Sequence, residues 1–419
     1  MIQPPSSPGQ PAGRHAVTFV LLAVLIDSMG FGIVLPVLPD IVMKLGHVDL
    51  PEATRIGGWL GVVYAAVQFL TGPLMGNLGD RFGRRPVLLG ALAGFAIDYL
   101  LMGFAPSLGW LFLGRALAGL FGASFGPAGA ALADMSTPDE RARYFGMMGA
   151  AFGIGFVVGP AVGGLLGEFG PRAPFHAAAA LAALNFVIGL FLFPETLKRE
   201  NRRPFTLARA NPAGAWRALG KLHGVIPLSI AAFFWQVATM IYPVTWAYFA
   251  IAAFGWTPGL IGASLAMVGI LMAISQMLFV GPVVKRLGER GSVALGIAGA
   301  IAQFLCYMVI QDGRLVFIVM LLQPIQSLVF PAMNGLMSRK VPPDAQGELQ
   351  GFNGSVAAIA AIFAPAIFSP ALAFFTGPSA PFRFVGIGFA IATAFALIAL
   401  VILLLGGRAP DQMPPSTPR

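Results

Sequence analysis

Three charged side chains stand where charge is expensive. Asp27 lies near the middle of the apolar run Ala16–Pro36, Asp98 interrupts the run that begins at Pro86, and Arg115 interrupts the run from Leu108 to Leu132. An ionised side chain facing lipid costs about 2.5–3.5 kcal/mol even on insertion scales. Each residue is therefore a functional-site candidate, binding a proton, an ion, a substrate or only a neighbouring charge. Two acids and one base leave an excess negative charge, so one acid is a candidate proton site tuned by Arg115. The plainer alternative is a static ion pair that ties helices together.

A second pattern packs glycines, an acid and arginines into a short link between two apolar runs. It comprises Gly76, Asp80, Arg81, Gly83, Arg84 and Arg85. Glycine lets the chain reverse tightly, and Asp80 can accept from a helix N-terminus or an arginine. The plainer reading is a basic loop on the cytoplasmic face. A third pattern, Gly155, Gly159, Pro160, Gly163 and Gly164, spaces glycines by four, which lets helices approach closely. Aromatic and amide side chains supply a candidate cavity wall: Tyr64, Gln68, Phe234, Trp235, Gln236, Met240, Gln323, Gln326, Phe330 and Asn334. Such a wall suits a bulky amphipathic ligand, held by stacking and a few hydrogen bonds. The histidines His15, His47, His176 and His223 and the lone Cys306 form no metal-ligand spacing, so no metal site is expected. No phosphate-binding loop is present, which argues against ATP as the driving force.

The elements that carry these residues follow from composition. The chain is 57% apolar with 10% charged residues and a mean hydropathy of +0.81, the profile of a membrane protein. Runs of roughly 20 residues predict twelve spans, near 16–38, 56–76, 86–104, 108–132, 143–167, 174–193, 225–250, 258–282, 291–310, 315–337, 350–373 and 384–405. They do not alternate polar with apolar, so helices are expected rather than barrel strands. The fold class is an all-α membrane protein of two six-helix pseudo-symmetric bundles. Lys and Arg gather in the segments before, between and after alternate spans, which places both termini in the cytoplasm. The net charge of +9 is then a topology signal rather than a nucleic-acid footprint. The expected layout is a cytoplasmic tail at 1–15, a first bundle at 16–193, a cytoplasmic linker at 194–224, a second bundle at 225–405 and a cytoplasmic tail at 406–419.

The halves read as copies. Gly76–Arg85 aligns with Gly281–Arg290, and in the same register Gly94 falls on Gly299, Gly146 on Gly351 and Pro160 on Pro365. Parallel repeats around a central site are the plan of alternating-access carriers. Asp98 falls opposite Gln303 and Arg115 opposite Met320, so intramembrane charge is confined to the first half. Along a helix, Asp27, Asp98 and Arg115 come to roughly 16, 18 and 20 Å above the cytoplasmic edge of a core about 30 Å thick.

These motifs resemble those of the major facilitator superfamily, and in particular its twelve-span drug:proton antiporters of the TCR/Tet (TetA-like tetracycline efflux) group. Gly76–Arg85 is similar to motif A, Gly155–Gly164 to the antiporter motif, and Arg115 with Gly119 and Gly122 to the span-four arginine motif. Asp27–Gly30 running to Pro39 is similar to the span-one motif, and Gly347–Gly351 to a stretch near span eleven. The resemblance implies proton or cation handling by Asp27 and Asp98, coupling by Arg115, and a cytoplasmic gate at Asp80 and Arg84. TetA-like antiporters often carry a histidine in span eight and an acid in span nine. The matching stretches here, Gly269–Ala273 and Gly296–Ala300, hold neither.

The expectation is a proton-coupled antiporter, not an enzyme. It would export a bulky amphipathic compound, tetracycline-like or another drug, across the bacterial inner membrane. It would use no cofactor beyond the proton gradient, bind no nucleic acid and work as a monomer. The alternatives are an exporter of a sugar or amino-acid derivative and, more remotely, a non-transporting receptor or scaffold.

Overall fold

The structure, a computed structural model, describes residues 14–122, 125–206, 225–341 and 346–406. The greater parts of the linker and of both tails expected from sequence lie outside these residues. The first half comprises α1 (Arg14–Val34), α2 (Leu38–Gly46), α3 (Leu50–Phe82), α4 (Arg84–Gly103), α5 (Leu108–Phe121), α6 (Phe125–Met135), α7 (Pro138–Gly167) and α8 (Ala173–Leu192). The second half comprises α9 (Ile226–Thr239), α10 (Ile241–Phe254), α11 (Pro258–Ile274), α12 (Val280–Val309), α13 (Gly313–Val319), α14 (Gln323–Gln326), α15 (Val329–Ser338), α16 (Gln346–Thr376) and α17 (Ile387–Leu405). Among the described residues no strand occurs.

Eleven helical stretches are long and apolar enough to cross a membrane, but one of them, Pro258–Val309, runs for 52 residues. At 1.5 Å per residue it would measure about 78 Å, far more than a core of about 30 Å. The chain leaves helical geometry inside it at Gly288, where φ is 68°. It therefore holds two spans, giving the twelve crossings that hydropathy predicts. Gly83, at the matching position of the first half, also has positive φ, 109°. The same break at the same repeat position is the duplication expressed in backbone geometry.

Within the first half α1 packs on α7, α3 on α5 and α4 on α8; within the second, α17 packs on α9 and α12. The halves meet along two seams, α7 against α11 and α3 against α16. The core of the second half is aromatic: Trp246 touches Phe249, Trp256, Tyr307 and Phe389 at ring distances of 5.3–6.3 Å.

The two seams are tight at one end only. At the end away from the middle loop, a methyl at Gly58 would collide with Ser369, and one at Gly164 would come within 2.5 Å of the Pro258 carbonyl oxygen and 2.9 Å of the Gly262 Cα. Toward the loop-bearing end, Gly72 and Gly76 on α3, Gly146, Gly149 and Gly153 on α7, and Gly351 and Gly354 on α16 face nothing within 4 Å. The molecule is thus closed at its far end and parted between the halves at its loop end.

Spans seven and ten are not regular α-helices from end to end. Span seven breaks at Met240, where the Met240 N–H donates to both Gln236 and Val237 carbonyls. Span ten passes through a 3-10 turn at Met320–Leu322 before α14 and α15. Hydropathy predicts single helices here, because it counts apolar side chains and is blind to the backbone ladder. Broken backbone at membrane depth is tolerated where it lines a cavity or is covered by protein.

Candidate functional site

The charged centre is assembled from α1, α3, α4 and α5. Asp98, on α4, is 0% exposed, and neither of its carboxylate oxygens has a hydrogen-bond partner. Its Oδ1 lies 3.0 Å from where a Cβ on Gly114 would stand, so the absent side chain makes its space. Arg115 is the next residue of α5. Its Nη2 donates to the Met102 Sδ at 3.3 Å, its Nε has no partner, and its guanidinium lies 5.7 Å from the Tyr64 ring centre. Asp98 and Arg115 are therefore neighbours without a hydrogen bond between them. An ionised carboxylate buried without donors is costly, which makes Asp98 the leading candidate in this site for neutralisation by a proton or a cation.

Asp27 is half-buried on α1 and within electrostatic reach of Tyr64 and Tyr99. The Tyr99 hydroxyl packs into the space left by Gly30, which brings α4 against α1 three residues from Asp27. Gln68 donates to the Tyr64 hydroxyl at 3.1 Å and to the Gly122 carbonyl at 3.2 Å, binding α3 to the end of α5. The three intramembrane charges thus share one polar nest closed by two tyrosines. Tyr99 escapes the sequence reading because nothing in a tyrosine's spacing says which helix its hydroxyl will reach.

The glycines of α7 seat α1. Added side chains at Gly155 and Gly163 would strike α1 at Leu25–Ser28 and Ile33, and one at Gly159 would lie 2.5 Å from the Met29 carbonyl oxygen. The segment of α1 held in this way contains Asp27. Gly164, one residue on, faces α11 instead. One glycine face therefore positions both a candidate proton site and the seam between the halves.

At the loop end Arg84 is 8% exposed and is held by several groups. Its Nη1 lies 2.7 Å from Asp80 Oδ1 and its Nε 3.2 Å from Asp134 Oδ2, while its backbone N–H donates to Glu195 at 2.8 Å. Gly83 is required twice, by its φ of 109° and because a Cβ would strike the Glu195 carboxylate. The start of the middle loop lies across this motif, with the Arg203 N–H on the Asp80 carbonyl at 3.0 Å and the Asn77 amide on the Thr206 carbonyl at 2.7 Å. Arg81 stacks on Phe82 at 5.1 Å. Gly76 faces open space. Asp134 and Glu195 are partners the sequence reading missed. They stand 50 and 111 residues from Arg84, beyond any local spacing rule.

The expected cavity wall separates into groups. Tyr64 and Gln68 belong to the charged nest. Tyr64, Phe31, Phe156 and Phe152 continue as a chain of rings 5.8–6.3 Å apart. In the second half Gln326 accepts from Tyr242 at 3.4 Å, and Asn334 accepts from Asn353 at 3.3 Å. Gln323 is buried with its Oε1 unpartnered. Trp235 is 7% exposed and packed into the core, Phe234 stacks on Phe395, Gln236 and Met240 sit at the break in span seven, and Phe330 is 67% exposed. In the stretches that match the absent histidine and acid, the glycines have no room for a larger side chain. A methyl at Gly296 would lie 2.5 Å from Val329 and one at Gly299 2.5 Å from Ile325, while one at Gly269 would strike Val157.

The sequence matches the Major Facilitator Superfamily over residues 20–365, and again over 228–419. The chain belongs to that superfamily. It is 39% identical to the class C tetracycline resistance protein of Escherichia coli over 84% of this chain and 89% of that protein. To the class B protein of the same organism it is 34% identical, over 85% and 88%. To multidrug resistance protein 2 of Bacillus subtilis (strain 168) it is 28% identical, over 84% and 88%. A bacterial homolog of the human lysosomal transporter Spinster, in an inward-facing and unoccupied conformation, shares its fold with a TM-score of 0.76 at 16% identity, covering 96% of this chain and 98% of that one. Membership makes the chain a multi-pass membrane transporter of a small molecule and not an enzyme.

Proposed function

We propose that this transporter is a proton-coupled antiporter that exports a bulky amphipathic drug, tetracycline-like or otherwise, across a bacterial inner membrane. The observation that carries the reading is Asp98, wholly buried and without a hydrogen bond, beside Arg115 and in one nest with Asp27. A proton neutralises a carboxyl there, and a cationic drug group does the same work, so the two compete for one negative charge. Competition of that kind is what antiport needs: release of one ligand must accompany capture of the other.

The bias of Lys and Arg puts the loop-bearing end in the cytoplasm. The gap then opens inward, where drug is collected, and no cofactor or second subunit is needed to complete the site. The drug is held by stacking and amide hydrogen bonds rather than through a histidine and an acid, which the stretches Gly269–Ala273 and Gly296–Ala300 lack.

The test is transport in proteoliposomes under an imposed pH gradient. Asp27→Asn should lose gradient-driven drug movement while keeping the wild-type helical content and thermal midpoint. Undiminished transport by that variant would refute the coupling role.

A further inference from the structure

At the loop-bearing end a cavity of about 310 Å³ lies among the ends of α1, α4 and α8, lined by His15, Ala16, Arg85 and Phe191–Pro194. It is outside the transport path. The helices α4 and α8 pack on each other and on α1, α3, α5, α6 and α7, all of the first half, and so lie at the periphery of the bundle. Below the cavity α8 shows an outward apolar stripe: Leu184 is 55%, Val187 47% and Phe191 82% exposed. Such a stripe on a membrane helix faces acyl chains. The floor is firm, because Phe193 stacks on Phe19 at 4.9 Å.

The hydrogen-bonding capacity of Arg85 is only partly used. Its Nη2 donates to the Leu190 carbonyl at 2.7 Å, but its buried Nε has no partner. The second half supplies the control. Arg290, the repeat counterpart of Arg85, donates to the Leu403 carbonyl and, at 3.0 Å, to the Leu404 carbonyl, at the end of the last span. The same arginine thus serves as a helix-end cap in both halves. In the first half it stands in a cavity that also holds a histidine, with a buried donor left over.

We propose that this cavity binds the phosphate of an anionic phospholipid headgroup, with Arg85 as the principal donor, His15 at the rim and the Leu184–Phe191 stripe against an acyl chain. A guanidinium matches phosphate geometry, and basic pockets at helix ends on the cytoplasmic side bind such headgroups. The site needs only a chain that spans the membrane, so it stands whether or not the exported compound is a drug.

Native mass spectrometry of the detergent-purified full-length protein, titrated with phosphatidylglycerol or phosphatidylcholine, reads the site directly. The wild type should retain phosphatidylglycerol about fivefold more tightly than phosphatidylcholine, the effect of one basic group at a membrane surface. Arg85→Gln should bring the two to parity. Ala16→Leu should do the same by filling the cavity with the charge kept, which preserves the test if Arg85→Gln folds poorly. Arg290→Gln should leave the preference as it was. Retention of the preference by both Arg85→Gln and Ala16→Leu, or its equal loss in Arg290→Gln, overturns the proposal. Displacement of the lipid by millimolar inorganic phosphate alone would mark a site for free phosphate and would overturn it as well.

Discussion

Asp98 and Arg115 set the chemistry of the charged nest, and their geometry separates two roles that a sequence cannot. A carboxyl that accepts no hydrogen bond has no fixed partner to lose when it is neutralised. Replacing it by an amide of the same shape should therefore disturb the fold little while removing the titrating group. Asp98→Asn is expected to reduce pH-driven net drug transport in proteoliposomes to background. Exchange of labelled for unlabelled drug across the same membrane, which needs no net proton movement, should persist. Loss of both activities together would mean that Asp98 binds drug rather than protons. Arg115 is held differently, by the Met102 sulfur and the Tyr64 ring. Those soft contacts fix the guanidinium near the carboxyl without quenching it.

The elements join the halves through a latch at the far end. Glu168, just past α7, accepts a hydrogen bond from the Gly259 N–H in the first turn of α11, at 2.8 Å. A hydrogen bond from the Thr257 side chain, and then that from Gly259, hold the Glu168 carboxyl below its ordinary value of 4.5. Asp40 on α2 is moved the other way: burial first, then the charge of Glu168, raises its carboxyl above 3.8. The signs follow by linkage. The contribution of Glu168 to closure is present above its ordinary value and is lost only below its depressed one. That of Asp40 is present in acid and is lost as pH rises through its elevated value. Acidifying the far side should therefore tighten the closed end, and Asp40→Asn should abolish that response. The check is the rate at which a spin-label pair spanning α2 and α10 separates, followed as the pH is lowered. A response unchanged in Asp40→Asn would remove Asp40 from the latch. Of these elements the spans and the duplicated glycine break were legible in the sequence, because hydropathy and the repeat register carry them. The breaks in spans seven and ten were not, since they are failures of the backbone ladder inside uniformly apolar runs. Nor were the partners Glu195 of Arg84 and Glu168 of Gly259, 111 and 91 residues distant, which only the packed bundle brings into contact.

For the whole molecule the decisive fact is that two seams are tight at one end and parted at the other. Bundles that rock about a central site cannot be tight at both ends, so a wedge at the closed end should close the open one. Gly164 is the place for it, since any side chain there meets the α11 backbone at Pro258 and Gly262. Overpacking of this kind costs about 1–3 kcal/mol, enough to shift a two-state balance by roughly 5- to 150-fold. Gly164→Leu is thus expected to populate the conformation open at the far end. Cys306 is the sole cysteine of the chain, so its replacement by serine gives a clean background for thiol labelling. In that background Gly153→Cys and Gly354→Cys, which now face open space, should react readily with a bulky maleimide from the loop side. Adding Gly164→Leu should slow that reaction several-fold, while reactivity at the far-end position Gly61→Cys rises. If both ends became less reactive, the wedge would be compacting the bundle rather than tilting it, and the coupled opening and closing of the two ends would be wrong.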